Sequence, residues 1–315
     1  MPDRRLSLGD VPATSQTPFD LILTRATHDR AGTSRRDEQL LPRLLADPAT
    51  QVVDLWGDRV VLDAAGQRLA VRPPEAADAG RLAIYLGVAR EIQVVAVVRD
   101  LDDAPGETHS LRSAGMQLGD DVDVSLVTTA VGIVNWHARQ GFCPRCGAPT
   151  TVMEAGWVRR CTVDGSEDYP RTDAAVIMSV VDDDDRLLLA HGTRFRGGVG
   201  MSVLAGFVEP GESLEAAVER EVMEEVGVPV TDVRYLGNQP WPFPASLMVG
   251  FTARATATTL RTDPVEISAA RWFSREEFAQ ALKDETLTVP ARLSIARHLI
   301  EHWYGGPVSG LWKHS

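Results

Sequence analysis

The sequence predicts an α/β protein built in three parts. Three observations lead there. The chain has 315 residues, more than one ordinary domain needs. Strand-like runs alternate with helical periodicity at both ends of the chain. All three cysteines fall in one short, turn-rich stretch that separates the two globular textures. With 44% hydrophobic residues, the chain can bury a core without disulfide staples. The expected parts are an N-terminal mixed α/β domain over residues 1–138, a ribbon over 139–170, and a second globular domain over 171–315.

Taken in order, residues 1–16, MPDRRLSLGDVPATSQ, carry bases but no apolar h-region. A cytoplasmic address is therefore expected rather than export. No run of about 18 apolar residues occurs, so no membrane-spanning helix is expected. Strand-like runs cover 51–55, 59–62, 82–86 and 92–98, and a short helix is expected over 128–140. Residues 174–181 and 186–190 read as two strands joined by the acidic turn 182–185. Residues 213–226 form the best helix in the chain, closed by Gly227. Strands near 233–237 and 246–254 and a last helix over 290–303 complete the reading.

Charge narrows the function. The net charge is −12, from 44 acids against 32 bases. A protein that coats duplex DNA needs clustered Lys and Arg to neutralise phosphate, so that class is excluded. A small phosphate-bearing ligand, or one RNA end held with metal ions, is not.

The most informative segment is 206–228, GFVEPGESLEAAVEREVMEEVGV. Projected as a helix from Ser213, it places Leu214, Ala217, Val218, Val222 and Val226 on one apolar face. Glu221 and Glu225 fall inside that face and Glu224 at its edge, so three carboxylates are expected to point inward. Runs of Glu usually line a solvated face. Here two unpaired carboxylates about 4 Å apart would repel by roughly 4 kcal/mol at an effective dielectric near 20. That exceeds the few tenths of a kcal/mol that i,i+4 pairing returns. A divalent cation relieves the repulsion, and an all-oxygen ligand set suits Mg²⁺ or Mn²⁺.

These residues resemble the Nudix box, G-x5-E-x7-R-E-U-x-E-E-x-G-U with U aliphatic. The match runs through Gly206, Glu212, Arg220, Glu221, Val222, Glu224, Glu225, Gly227 and Val228 without departure. The resemblance implies an α/β/α sandwich with a mixed sheet that hydrolyses a nucleoside diphosphate linked to another group. It implies that Glu221, Glu224 and Glu225 are the catalytic carboxylates, holding Mg²⁺ or Mn²⁺ against the diphosphate. The general base is left between Glu224 and another glutamate, and Arg220 is expected to orient a box carboxylate by bidentate contact.

Residues 239–246, QPWPFPAS, hold three prolines and two aromatics. They exclude a regular helix or a central strand. On the residues alone, a packed rigid loop and a preset aromatic surface for a planar base are equal readings. After a Nudix box, however, the segment is similar to the signature of NADH pyrophosphatases. That group also carries a zinc ribbon and an N-terminal domain in this order. The resemblance implies cleavage of NADH or NAD⁺ to nicotinamide mononucleotide and AMP, and removal of NAD caps from RNA 5′ ends. It implies a homodimer in which both chains build the site. Carried over by position, it implies substrate contacts at Tyr169, Phe207, Gln239, Pro240, Trp241, Pro242, Phe243, Pro244, Ala245, Ser246 and Ala296. Metal contacts are implied at the Ala205 carbonyl and at Glu266, in the DPVE of 263–266.

Cys143 and Cys146 form a C-x2-C knuckle, and 14 residues separate Cys146 from Cys161. This gap falls just under the usual ribbon spacing of about 15–20 residues, and a structural zinc ribbon is expected. The family's second C-x2-C is incomplete: Asp164 stands at the fourth position, with Glu167, Asp168 or water as other fourth ligands and a metal-free ribbon as the opposing reading. Two further functions stand against the main one: a Nudix enzyme for ADP-ribose or another dinucleotide, and a non-catalytic nucleotide-binding regulator. A nucleic-acid-binding ribbon is disfavoured by the charge.

Overall fold

Breaks at Gly, Pro and Asp cut residues 40–137 into short elements gathered around a three-stranded sheet and a two-stranded one. The computed structural model of the protein describes residues 18–25, 27–193 and 199–309. Residues 1–16, read above for export signals, lie outside the described residues. The N-terminal domain comprises α1 (Leu40–Ala46), β1 (Gln51–Leu55), β2 (Arg59–Val60), β3 (Ala83–Ala89), β4 (Ile92–Val98), β5 (His109–Ser110), α2 (Leu111–Gln117) and α3 (Asp121–His137). Its sheet has the order β1-β4-β3, with β1 parallel and β3 antiparallel to β4. Nearly the whole of α3 is buried against it, including Val124, Val127, Ala130, Val131 and Val134.

The helix expected over 128–140 thus begins seven residues earlier. Asp120 caps it, accepting from the Val122 and Asp123 amides. Its first turn is acidic, and Asp123 is buried there because Arg68 and Arg90 neutralise it at 2.7 and 2.9 Å.

The ribbon follows as three short antiparallel strands, β6 (Thr150–Met153), β7 (Val158–Cys161) and β8 (Glu167–Asp168).

The C-terminal domain contains β9 (Asp173–Val181), β10 (Leu187–Gly192), β11 (Leu204–Phe207), α4 (Leu214–Val226), β12 (Val230–Trp241), β13 (Ser246–Ala255), β14 (Ile267–Phe273), α5 (Arg275–Lys283) and α6 (Ile295–Tyr304). The sheet order is β12-β13-β9-β10-β14, with β11 beside β9. β9 and β13 run parallel and the other pairs antiparallel, so the sheet is mixed. Alternation along β9 and β10 sends Val176, Met178, Val180, Leu188 and Ala190 towards α4. Ile177, Leu187 and Leu189 go to the other side, towards α5 and α6. This is the expected sandwich.

Two boundaries differ from the sequence reading. The strand expected over 233–237 extends from Val230 to Trp241, because β12 is an edge strand and tolerates Pro240. The last helix starts at Ile295 rather than 290, where the Ser294 hydroxyl accepts from the Ala296 amide.

The two domains share packing. Trp241, the last residue of β12, and Phe243, just past it, lean on the N-terminal core, and Leu293 is buried within it. Asn135 of α3 donates its amide to the carbonyls of Pro242 at 2.9 Å and Pro244 at 3.4 Å. Among the described residues, no helix is long and apolar enough to cross a membrane. Asn135→Ala strands the Pro242 carbonyl and should cost about 1–3 kcal/mol, read as a lower urea midpoint.

Candidate active site

Ser213 opens α4 by accepting from the Ala216 amide, and Gly227, at φ 68°, closes it in the left-handed conformation. Ala217, Val218, Val222 and Val226 are buried on the sheet side, and Glu221 and Glu225 are buried with them. Glu224 is a correction. It lies at the mouth with 60% of its side chain exposed, because Arg220 one turn earlier draws its carboxylate outward at 3.0 Å.

Arg220 organises the acids. Its Nε and Nη2 donate to both oxygens of Glu212, at 3.0 and 2.6 Å. Nη1 donates to Glu221 at 2.9 Å and to Glu224 at 3.0 Å, and Nη2 also reaches the Phe207 carbonyl. The expected bidentate contact therefore falls on Glu212, which leaves the inner carboxylates single contacts. Gly206 of β11 lies against the Glu221 carboxyl group: a Cβ there would stand 1.8 Å from its carboxyl carbon. That close approach is why this position takes glycine.

Among the described residues, Glu225 has no such counter-ion. One of its oxygens, Oε2, is buried and finds no hydrogen-bond partner. Burial, then repulsion from Glu221, Glu266 and Glu224, pushes its carboxyl group up to about 8. Burial also raises Glu221, which Arg220 partly offsets. Glu266 reaches the cluster through a turn tied to the helix, since the Asp263 amide donates to the Glu225 carbonyl at 3.0 Å. A buried carboxylate oxygen with no donor, facing other carboxylates, is the arrangement a hard divalent cation satisfies.

These acids line one cavity of about 770 Å³. Ala205, Phe207, Trp241, Ser246 and Ala296 line it too, together with Glu209, Arg220, Glu221, Glu224, Glu225 and Glu266. Phe207 is 59% exposed, so it is an aromatic face of the cavity and not core packing. The remaining expected contacts lie elsewhere. Gln239 is fully buried: its Nε2 donates to the Leu293 carbonyl at 2.7 Å and its Oε1 accepts from the Ile295 amide at 2.8 Å. Its amide is committed to positioning the start of α6. Pro240 pairs with Leu247 in the sheet, Pro242, Phe243 and Pro244 lie against the N-terminal domain, the Ala245 carbonyl accepts from the Asp173 amide at 2.7 Å, and none of them is in the cavity lining. Tyr169 lies in a separate recess with Arg35, Arg36, Glu154 and Trp157, and its hydroxyl donates to Glu167 at 2.7 Å. Sequence reading missed Arg112 and Met116, which reach the cavity from the N-terminal domain with no motif to mark them.

In the ribbon, ligand atoms of Cys143, Cys146, Cys161 and Asp164 all lie within 4.8 Å of one another. Glu167 is engaged by Arg160 and Tyr169, so Asp164 is the acid that closes the group. Hydrogen bonding from Ser166 pulls Asp164 down to about 2 and Cys143 down to about 7.

A mixed sheet between helical layers, with an acid-lined helix at a cavity, is the arrangement expected from the sequence for a hydrolase that uses divalent metal. Residues 170–293 match the NUDIX domain, and residues 138–169 match the NADH pyrophosphatase zinc ribbon domain. Over 298 residues the chain is 39% identical to the NAD-capped RNA hydrolase NudC of Mycobacterium bovis, spanning 90% of this chain and 94% of that protein. The same figures hold for the protein of that name from Mycobacterium tuberculosis. The NAD-capped RNA hydrolase NUDT12 of Homo sapiens is 42% identical over 193 residues, 58% of this chain and 42% of that protein. The chain belongs to the Nudix hydrolase family, in the group that carries the NADH pyrophosphatase zinc ribbon.

Glu225 makes stability depend on pH in a definite direction. Its folded value of about 8 lies above its ordinary 4.5. Between those values the folded state binds the extra proton, so stability falls as pH rises. Metal-free protein should lose melting temperature from about pH 5 to about pH 8, and Glu225→Gln should flatten that fall. Parallel curves for the two proteins would contradict the assignment.

Proposed function

We propose that this protein hydrolyses the diphosphate of NADH and NAD⁺ to nicotinamide mononucleotide and AMP, and removes NAD caps from RNA 5′ ends. The observation that carries the reading is the buried pair Glu221 and Glu225, with Oε2 of Glu225 unsatisfied, inside a cavity that also has the aromatic faces of Phe207 and Trp241. The names of the relatives support the substrate class.

Glu221, Glu224, Glu225, Glu266 and the Ala205 carbonyl would hold Mg²⁺ or Mn²⁺. Bound divalent cations supply charge neutralisation on the non-bridging oxygens and acidify an attacking water. The chain's own residues do the rest. Arg220 fixes the acids in register, so little reorganisation is needed when the diphosphate enters. Trp241 and Phe207 give planar surfaces to a base, and Ser246 offers a hydroxyl within the same wall. Positioning dominates, as expected where the reacting phosphorus needs little acid assistance.

The ribbon would hold one structural Zn²⁺ through Cys143, Cys146, Cys161 and Asp164. Its strands have too little apolar bulk to close without a bound ion. Tyr169, outside this chain's own cavity, fits a homodimer in which it serves the partner's site. The work would be cytoplasmic.

Three experiments test this. Initial rates on NADH, NAD⁺, ADP-ribose and NAD-capped RNA, each with Mg²⁺ or Mn²⁺, should be high for the three NAD compounds. Equal rates on ADP-ribose would favour a general dinucleotide enzyme. Glu225→Gln should lower turnover by at least about two orders of magnitude with the fold intact, and near-normal turnover would remove the assignment. Cys146→Ser should release zinc and lower the melting temperature; zinc-free protein that melts unchanged would end the structural-metal reading.

A further inference from the structure

One stretch of the cavity wall has no regular secondary structure. Residues 290–294 run as an irregular turn into α6, and Pro290, Ala291, Leu293, Ser294, Ile295 and Ala296 all line the cavity. Such a segment keeps its place only where its backbone polar groups find partners. Its carbonyls can be followed one by one. Pro290 accepts from Nη1 of Arg297 at 3.3 Å, and Ala291 from the Ser294 amide at 3.0 Å. Arg292 accepts from Nε2 of His298 at 3.0 Å, and Leu293 from Gln239 at 2.7 Å. Three of these four carbonyls are held by side chains, two of which stand on α6.

Arg297 links the most segments. It follows Ala296 directly on α6, is buried at 2% exposure, and is not itself part of the cavity lining. Its Nε donates to Oε1 of Glu301 at 2.8 Å, one turn further on. Nη1 takes the Pro290 carbonyl before the helix, and Nη2 takes the Val308 carbonyl after it. The Val308 amide donates back to the same Glu301 oxygen at 3.1 Å. One ion pair thus ties together the cavity wall, α6 and the segment that follows α6.

Stability alone is a poor reason for such a pair. Desolvating a guanidinium and a carboxylate costs about as much as their attraction returns, and apolar residues of like volume often serve a fold equally well. What apolar residues lack is direction. A planar guanidinium holds each carbonyl it serves along a set line. The lining residues of this wall carry no charge, so the wall meets a ligand by shape and backbone. A shift of the wall therefore changes how a ligand fits and leaves Glu221 and Glu225 in their own frame on α4.

We propose that Arg297 is a positioning residue of the substrate cavity. From behind the wall it sets residues 290–296 through the Pro290 carbonyl, with Glu301 and the Val308 segment as its anchor. The proposal rests on reading the cavity as the substrate site.

Replacing the pair by apolar residues, Arg297→Met with Glu301→Leu, tests this without leaving a buried charge alone. The full-length double variant should fold and melt close to the wild type. Hydrogen exchange should quicken by roughly tenfold or more at residues 292–297 and stay unchanged in β9 and α4. With NADH and Mg²⁺, KM should rise by roughly tenfold while kcat stays within about threefold, which marks lost binding rather than lost chemistry. Arg297→Lys keeps the charge, loses the planar fork, and should fall between the two. Leu282→Ala, buried in the same core on α5, is the control: it should lower the melting temperature and leave KM unchanged. The proposal is overturned if exchange at 292–297 matches the wild type, if KM stays within about twofold, if kcat falls as far as KM rises, or if Leu282→Ala raises KM equally. Should the double variant fail to fold, Arg297→Lys is read by the same criteria. If that variant also fails to fold, the arginine serves stability and the proposal falls. A wild type that does not hydrolyse NADH would sink the proposed function, while the exchange measurement still decides the role of Arg297.

Discussion

Concentrated negative charge beside a hydrophobic core is the constraint on which this protein turns. Glu221 and Glu225 are buried on the same side of α4 as Val218 and Val222, where an isolated carboxylate is costly. Arg220 offsets part of the repulsion by holding Glu212, Glu221 and Glu224 from one guanidinium. It does not reach Glu225. The residual imbalance is therefore localised on one buried oxygen, and it is a demand for a cation built into the fold.

The same imbalance explains neighbouring sequence choices. Gly206 leaves room for the Glu221 carboxyl group, which any side chain would displace. The turn before β14 is hydrogen-bonded to the end of α4, so Glu266 is delivered by the helix it serves. Remote residues thus share one electrostatic task because short backbone contacts hold them to one frame.

The proline-rich segment after β12 joins that frame to the rest of the chain. Its backbone is gripped by Asn135, its aromatic rings lean on the N-terminal core, and Arg112 lies across those rings. The two readings the residues allowed, rigid loop and aromatic surface, divide between its two sides. Trp241 and Ser246 face the cavity, while Pro242 is buried and Phe243 packs towards the N-terminal domain. The N-terminal domain is consequently part of the cavity wall and not an appendage.

Local pattern by itself determined the acid helix, its caps, the cavity-facing pair Glu221 and Glu225, and the cysteine cluster. Each depends on spacing within one turn, one helix or one knuckle, and such spacing is written in consecutive residues. The sandwich was legible for the same reason, through the alternation of β9 and β10 and the Nudix box. Tertiary structure alone decided the rest. Glu224 turned outward because Arg220 holds it, and Gln239 proved a brace because Leu293 and Ile295, more than 50 residues away in sequence, take both ends of its amide. Asp123 could be interior only once Arg68 and Arg90 met it from other elements. Arg112 entered the cavity by the packing of one domain on another. Charge pairing and domain contact act across space, and residues distant in the chain carry no local mark of the partner they will meet.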